Sequence, residues 1–305
     1  STAIAGTTTY TVTVTATGGC TATTSATIIV NPQPVPPALT STNYCVGASA
    51  AVLDATTSGA TSYLWTTGAT TASVTPSTAI AGTTTYTVTV TATGGCSATT
   101  SATIVVNPLP VPPALTSTSY CVGASATALD ATTTGATAYL WSSGETTASV
   151  TPSTAIAGTT TYTVTVTATG GCTATTSATI VVNSLPLVAI SSNPICIGQP
   201  LVLTANVSTF TPLPYDYVWS YGNTTNDIGT SHSVTVTNTA TAANDIVYTV
   251  TVTDNNGCSA TSTIDPVINP LPVVSLTATD ICIGQPLVLT ADVTTTTTSP
   301  YDYTW

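Results

Sequence analysis

Eight cysteines, one histidine and eleven acidic side chains carry nearly all the thiol, imidazole and carboxylate chemistry open to this 305-residue chain. The cysteines are Cys20, Cys45, Cys96, Cys121, Cys172, Cys196, Cys258 and Cys282. None forms a C-x2-C pair, and one histidine leaves a tetrahedral site short of ligands, so the spacing does not read as zinc. Regularly spaced cysteines in a chain of extracellular character read as a disulfide framework. His232 lies in Ser231-His232-Ser233-Val234, a strand-like stretch. A catalytic triad needs an activated serine and an orienting carboxylate in one cleft. Serine is everywhere here, so proximity in sequence carries no weight, and His232 reads as an exposed strand or loop residue. The carboxylates are too sparse for a catalytic pair. Asp254 and Asn255 offer oxygens to calcium, which takes roughly six to eight of them. The matching stretch Ala92-Thr93-Gly94-Gly95 offers none, and a turn rich in Asn and Gly is the preferred reading. The Trp and Tyr residues in general fit core spacing; Tyr215, Tyr217 and Tyr221 around Trp219 are the exception, since alternate residues of that strand can face outward and make a platform for a glycan or a protein. No organic cofactor, nucleotide or transition metal is expected.

Composition narrows the class further. The chain has no Lys or Arg and is only 4% charged, with a formal net charge of -11. Without a basic patch there is no electrostatic footprint for nucleic acid or for an anionic membrane surface. Charge networks cannot stabilise the fold, and trypsin finds nowhere to cut. Ser and Thr make up about a third of the residues, a composition that also suits disordered, O-glycosylated stalks. The pattern argues otherwise. Thr alternates with Val, Ile and Tyr over long stretches, the period of half-buried strands, and Thr itself is β-branched. Helix-like periodicity is absent, so the class is all-β. No signal peptide or membrane-spanning stretch is visible.

An internal repeat sets the organisation. STAIAGTTTYTVTVTATGGC starts at Ser1, Ser77 and Ser153, a period of 76 residues. Trp65, Trp141, Trp219 and Trp305 mark one position of the repeat, and Tyr10, Tyr86, Tyr162 and Tyr248 another. The expected domains are therefore the C-terminal part of a module (1–31), whole modules at 32–107 and 108–183, an enlarged module at 184–269, and the N-terminal part of another (270–305). Ser1 falls inside a repeat, so the true N-terminus is expected upstream. Joints such as Asn107-Pro108-Leu109-Pro110 read as short stiff spacers, which predicts an elongated rod. Within 108–183, strand A is expected near Val111–Thr118, B near Ala124–Ala131, C at Tyr139–Trp141, a C′ or E segment near Ala148–Thr151, F at Thr161–Thr167 and G at Thr176–Val182. Tyr162, Val164 and Val166 should face inward. About seven short strands, with Trp on C and Tyr opening F, form the pattern of an immunoglobulin-like sandwich.

These features resemble a family. Cys196-Ile197-Gly198-Gln199-Pro200, Tyr139-Leu140-Trp141, the Tyr-Thr-Val-Thr-Val-Thr run from Tyr162, Gly171-Cys172 and the Asn-Pro-Leu-Pro joints are similar to the Ig-like and PKD-like repeats of giant Bacteroidetes cell-surface adhesins. The resemblance implies export to the cell surface, by the type IX route, and a role in adhesion, gliding or filaments. It implies no catalytic residue.

Two disulfide connectivities stay open. Neighbour logic pairs Cys45–Cys96, Cys121–Cys172 and Cys196–Cys258 within modules. The usual core bridge joins mid-strand B to mid-strand F, where this chain has Ala205 and Val250 instead. The cysteines sit in the A–B and F–G loops, which a sandwich places at opposite ends, beyond the ~7 Å Cα separation a disulfide tolerates. That geometry favours staples between modules, Cys45–Cys172 and Cys121–Cys258. Cys20, Cys96, Cys196 and Cys282 would then find partners beyond this segment or in another chain. The function expected is a structural filament or stalk segment outside the cell, not an enzyme, with its own modules or copies as partners. A ligand-binding adhesin gripping glycan or protein is the rival, and accessory modules of a secreted hydrolase a third reading.

Overall fold

The computed structural model describes residues 4–208, 212–222, 228–237, 246–294 and 300–305. The only helices among them are single 3-10 turns, Thr93–Gly95 and Thr169–Gly171; the regular structure is otherwise β. No helix among them is long and apolar enough to cross a membrane, which says nothing of a β-barrel. The chain is all-β and built of immunoglobulin-like sandwiches. It divides into two compact units. One comprises Ser1–Thr116, Ala128–Thr151 and Thr161–Ala178; the other comprises Ser117–Thr127, Pro152–Thr160 and Thr179–Trp305.

The first unit shows how alternation becomes a sheet. Gly82–Ala92 and Ser97–Asn107 pair antiparallel, from Gly82↔Val106 to Thr91↔Ser97. On one face Tyr86, Val88, Val90, Ala102, Ile104 and Val106 are buried. On the other, every cross-strand pair from Thr85↔Thr103 to Thr91↔Ser97 joins two hydroxyl residues. The period-2 pattern thus sorts apolar side chains from hydroxyls without any charge. Ala60–Trp65 joins beside Gly82–Ala92, and Thr42–Cys45 beside Ser97–Asn107, giving a four-stranded sheet. The facing layer is a two-residue ladder, Leu53–Asp54 with Ser73–Val74. Trp65 fills the gap between layers and is fully buried, its indole N–H donating to the Thr71 carbonyl at 2.8 Å. Trp141 repeats the arrangement with Thr147. Residues 6–30 form a hairpin in the same register, Gly6↔Val30 to Thr15↔Thr21, with Tyr10, Val12, Val14 and Ile28 exposed.

In the second unit, Val188–Ser191, Leu201–Val207 and Ser233–Val236 make one three-stranded sheet, and Asp216–Tyr221, Tyr248–Thr253 and Ser259–Ile264 another. Leu201, Leu203, Ala205, Trp219, Tyr248, Val250 and Val252 lie in the core between them. Val274–Ala278 and Leu289–Val293 pair further along, with Leu276, Leu287 and Trp305 exposed.

Two strand expectations are corrected. The expected strand at Val111–Thr118 is a strand at Thr118–Cys121, parallel to Ile180–Asn183. Prolines at 108, 110, 112 and 113 have no N–H to give a ladder, so pairing begins only beyond them. The expected strand Ala124–Ala131 shrinks to Leu129–Asp130. There the Asp130 carboxylate accepts from the Thr132 N–H at 2.9 Å and from its hydroxyl, bending the chain away. The strand expected at Thr161–Thr167 extends over Gly158–Ala168, and Tyr162, Val164 and Val166 are buried as its alternation requires.

Candidate functional site: the cysteine joints

The cysteines are placed by the strands that end at them. Thr42–Cys45 runs parallel to the end of Ser97–Asn107, with Cys45 opposite Asn107, the last residue before a proline-rich linker. Beyond that linker, Cys172 follows the turn Thr169–Gly171, where Gly170 and Gly171 hold φ of 80° and 78°. Glycine occupies that left-handed region without strain. The turn closes with the Ala168 N–H donating to the Cys172 carbonyl at 2.8 Å. Cys45 and Cys172 are bonded, with Cα atoms 5.6 Å apart. The second joint repeats the design. Cys121 ends its strand opposite Asn183, Cys258 follows the turn at 254–257, and the two are bonded with Cα atoms 5.5 Å apart. Cys172 and Cys258 are buried.

Pairing within repeats is therefore not what forms. Cys45 lies beside Asn107, whereas Cys96 directly precedes Ser97 at the other end of the same strand. Eleven residues of strand at ~3.3 Å each put roughly 30 Å between them. Cys45–Cys96 is out of reach, and the same register separates Cys121 from Cys172. Cys196, at the end of Ile195–Cys196 and opposite Asn269, is likewise not bonded to Cys258. Cys20, Cys196 and Cys282 are exposed free thiols, and Cys96 is a half-buried one.

The remaining candidates are placed differently. Tyr215, Tyr217 and Trp219 share one strand parity and pack in or against the core, whereas Tyr221 at the end of the strand is exposed. Trp219 is completely buried, pairs with Val250, and donates its indole N–H to the Ser231 carbonyl at 2.9 Å. It offers no surface to a ligand, and the outward residues of the strand are Asp216, Val218 and Ser220. Tyr217 is half-buried, with Tyr215 and His232 edge-on to its ring at centroid distances of 6.5 and 5.9 Å. Burial, and secondarily Tyr215, pushes the Tyr217 phenol above its ordinary range. Tyr221 packs on Tyr248. His232 is exposed, and its backbone carbonyl accepts from the Ala205 N–H.

Asp254 is buried, and one carboxylate oxygen accepts from the N–H groups of Asn256 and Cys258, both at 2.9 Å. The side chain therefore organises the turn that delivers Cys258. Its other oxygen has no partner. The Asn255 N–H donates to the Pro212 carbonyl. No group of three His, Cys, Asp or Glu side chains converges among the described residues. A groove along Ser191, Asn193, Ile195, Pro200, Val202 and Thr204 has no titratable side chain in its lining.

Asn107 escaped the sequence reading. Its carbonyl accepts from the Val46 N–H at 3.0 Å, and its amide donates to the Tyr44 carbonyl at 3.4 Å. The available signal was an asparagine opening each joint, at 31, 107, 183 and 269.

No family model matches the sequence, and no curated protein does. Solved structures similar to it include an I-band fragment of titin, I67–I69, at 13% identity and a TM-score of 0.46, covering 79% of this chain and 99% of that one. The N-terminal eight Ig domains of Down Syndrome Cell Adhesion Molecule match at 15% identity and a TM-score of 0.42, over 93% of this chain and 44% of theirs. Sidekick-1 immunoglobulin domains 1–5 match at 14% and 0.29, over 89% and 68%. At these identities the likeness concerns fold alone, and the fold itself rests on the sheets and cores described above.

Proposed function

We propose that the chain is a spacer segment of an extracellular filament or stalk, working by length and stiffness and not as an enzyme. The observation that carries this reading is that each of the two disulfides ties one repeat to its successor. A bond within a domain guards that domain's fold; a bond across a joint restrains the angle between neighbours. In this reading the modules are 1–31, 32–107, 108–183, 184–269 and 270–305, set end to end. Cys20, Cys96, Cys196 and Cys282 take partners outside these 305 residues or in another chain. The setting is the surface of a bacterium of the Bacteroidetes kind, reached by type IX export. Disulfides of this sort persist in oxidising surroundings, and a chain without Lys or Arg withstands trypsin-like proteases.

Small-angle scattering of oxidised and reduced protein tests the reading. With strands of about ten residues at ~3.3 Å rise, each module spans roughly 35 Å, so the oxidised chain should exceed ~120 Å. Reduction should broaden its distance distribution. A compact profile unchanged by reduction would exclude the spacer.

One observation favours a second reading, an adhesin that grips glycan or protein. Tyr215, Tyr217 and His232 cluster only in the segment 184–269, where the repeats have Ala72 or Ala148 in place of the histidine. Binding on a glycan array that Tyr217→Ala abolishes would establish it; silence of the array would leave the spacer alone.

A further inference from the structure

Among the described glycines, nearly all have open space where a side chain would grow, and Gly94 and Gly170 are two of three exceptions. A Cβ on Gly170 would stand 2.5 Å from Asn107 Cγ, and one on Gly94 would stand 2.6 Å from Asn31 Cγ. In each case the asparagine that opens a linker packs against the turn of the following repeat. Asn107 is also fastened backwards, by its carbonyl to Val46 and its amide to Tyr44, the two residues flanking Cys45. One side chain thus spans from the strand that carries Cys45 to the turn that carries Cys172.

The Asn31–Gly94 seat shows that this contact does not depend on the disulfide. Cys96 there is unbonded, with its sulfur 3.7 Å from the Asn31 carbonyl oxygen. The Cys172 sulfur lies 3.9 Å from the Asn107 carbonyl oxygen. A bonded sulfur has no hydrogen to donate, so the second distance is packing, yet the two sulfurs occupy the same place. The Asn31–Gly94 seat is thus formed with its cysteine unbonded.

We propose that Asn107 and Gly170 form a latch that docks successive repeats ahead of oxidation and so selects Cys172 as the partner of Cys45. Asn31 and Gly94 hold Cys96 poised in the same way. The proposal rests on the reading of these cysteines as joint staples and adds how the right pair is chosen. With a small disulfide such as oxidised glutathione as oxidant, one cysteine thiolate attacks it, forming a mixed disulfide and releasing one glutathione thiolate. The second cysteine thiolate then attacks the mixed disulfide at the protein sulfur and releases the other. Two protein thiols are oxidised, one glutathione disulfide is reduced, and two protons leave the protein. The latch raises the effective concentration of the second thiol at the first. A Cβ on Gly170 would remove the seat; Gly171, also left-handed, has nothing within 4 Å.

The experiment refolds the reduced 305-residue chain in glutathione buffer, quenches with acid, and maps disulfides after peptic digestion. Wild type, Asn107→Ala, Gly170→Ala and Gly171→Ala are compared, with Cys121–Cys258 as the internal reference. Wild type should form Cys45–Cys172. Asn107→Ala should lower its equilibrium constant against glutathione by ~2–10-fold, the worth of a lost hydrogen bond, and slow its formation. Gly170→Ala should fall at least as far, and further than Gly171→Ala, which carries the same backbone strain without striking Asn107. Wild-type rates and constants in both Asn107→Ala and Gly170→Ala would overturn the latch, as would equal losses in Gly170→Ala and Gly171→Ala. Absence of Cys45–Cys172 from the wild type would instead overturn the staple reading beneath it.

Discussion

The repeat 32–107 and the segment 184–269 reach the same two-layer plan with their hydrogen bonds differently distributed. In 32–107 the sheet holding Gly82–Ala92 and Ser97–Asn107 has four strands, and the opposite layer is a ladder of two residues per strand. In 184–269 both layers have three strands, and Leu201–Val207 pairs on both sides. The cause is local. Leu201-Val202-Leu203-Thr204-Ala205-Asn206-Val207 alternates large apolar side chains, burying Leu201, Leu203 and Ala205. The matching stretch Ala51-Val52-Leu53-Asp54-Ala55-Thr56-Thr57 has Ala51 where Leu201 stands and Thr57 where Val207 stands, and it buries only Leu53 and Ala55. The Tyr44 hydroxyl accepts the Ala51 N–H, and the Asp54 carboxylate turns the chain at Thr56, so ladder donors are spent elsewhere. A sandwich can thus keep its buried Trp while one layer is mostly loop, provided the other layer is long.

The largest test of that comparison removes the shared element. Trp65→Ala and Trp219→Ala each delete a fully buried indole, at a cost of about 3–5 kcal/mol. Denaturant unfolding should show the repeat 32–107 lost outright, since its thin layer holds little in reserve. The segment 184–269 should survive with a lowered midpoint. Equal tolerance in both would mean that the thin layer does not limit the stability of 32–107.

Next in size is the joint. Cys172→Ser breaks the bridge to Cys45 and should cost roughly 2–4 kcal/mol. Calorimetry should show a lowered transition for the repeats 32–107 and 108–183, with the 184–269 transition unmoved. A uniform drop across all transitions would mean the bridge is not local to its joint.

Hydrogen exchange sharpens the comparison without mutation. Leu201–Thr204 pairs with Ser233–Val236 and Thr204–Val207 with Val188–Ser191, so the amides of this strand should exchange at least ~10-fold more slowly than those of residues 48–52. Comparable rates would show that residues 48–52 have protection that their lack of a ladder does not explain.

The smallest expected effect is on acid stability. The Thr56 hydroxyl, then its N–H, holds the Asp54 carboxyl below the usual carboxylate range, and Thr132 does the same for Asp130. A folded-state value below the unfolded one adds stability above the unfolded pKa, and that stability is lost as pH falls through the folded one. Asp54→Asn should flatten the acid limb of the 32–107 midpoint slightly. Thr204 stands at the equivalent place in 184–269, so that contribution is missing there. An unchanged acid limb in Asp54→Asn would show that this turn does not couple to folding.

The sequence determined by itself whatever periodicity and repetition can encode. Alternation of Thr with Val and Tyr fixes which residues of Gly158–Ala168 face inward, because successive side chains must leave opposite faces of a strand. Recurrence of Trp65, Trp141 and Trp219 marks a core position, since a large apolar ring at a fixed place in every repeat is cheapest inside. The separation of the two cysteine loops was legible too, since strand length alone keeps Cys45 from Cys96. Tertiary structure decided what depends on neighbours in space. Whether Tyr215, Tyr217 and Trp219 face a ligand or the core turned on which sheet covers that strand, and Ser231 and Val250 close over the indole. Prolines and the Asp130 turn reassigned two strands because a ladder needs free donors on both partners, which no single segment reveals. The Asn107–Gly170 contact lies 63 residues apart in sequence, and only the docking of one repeat on the next brings them together.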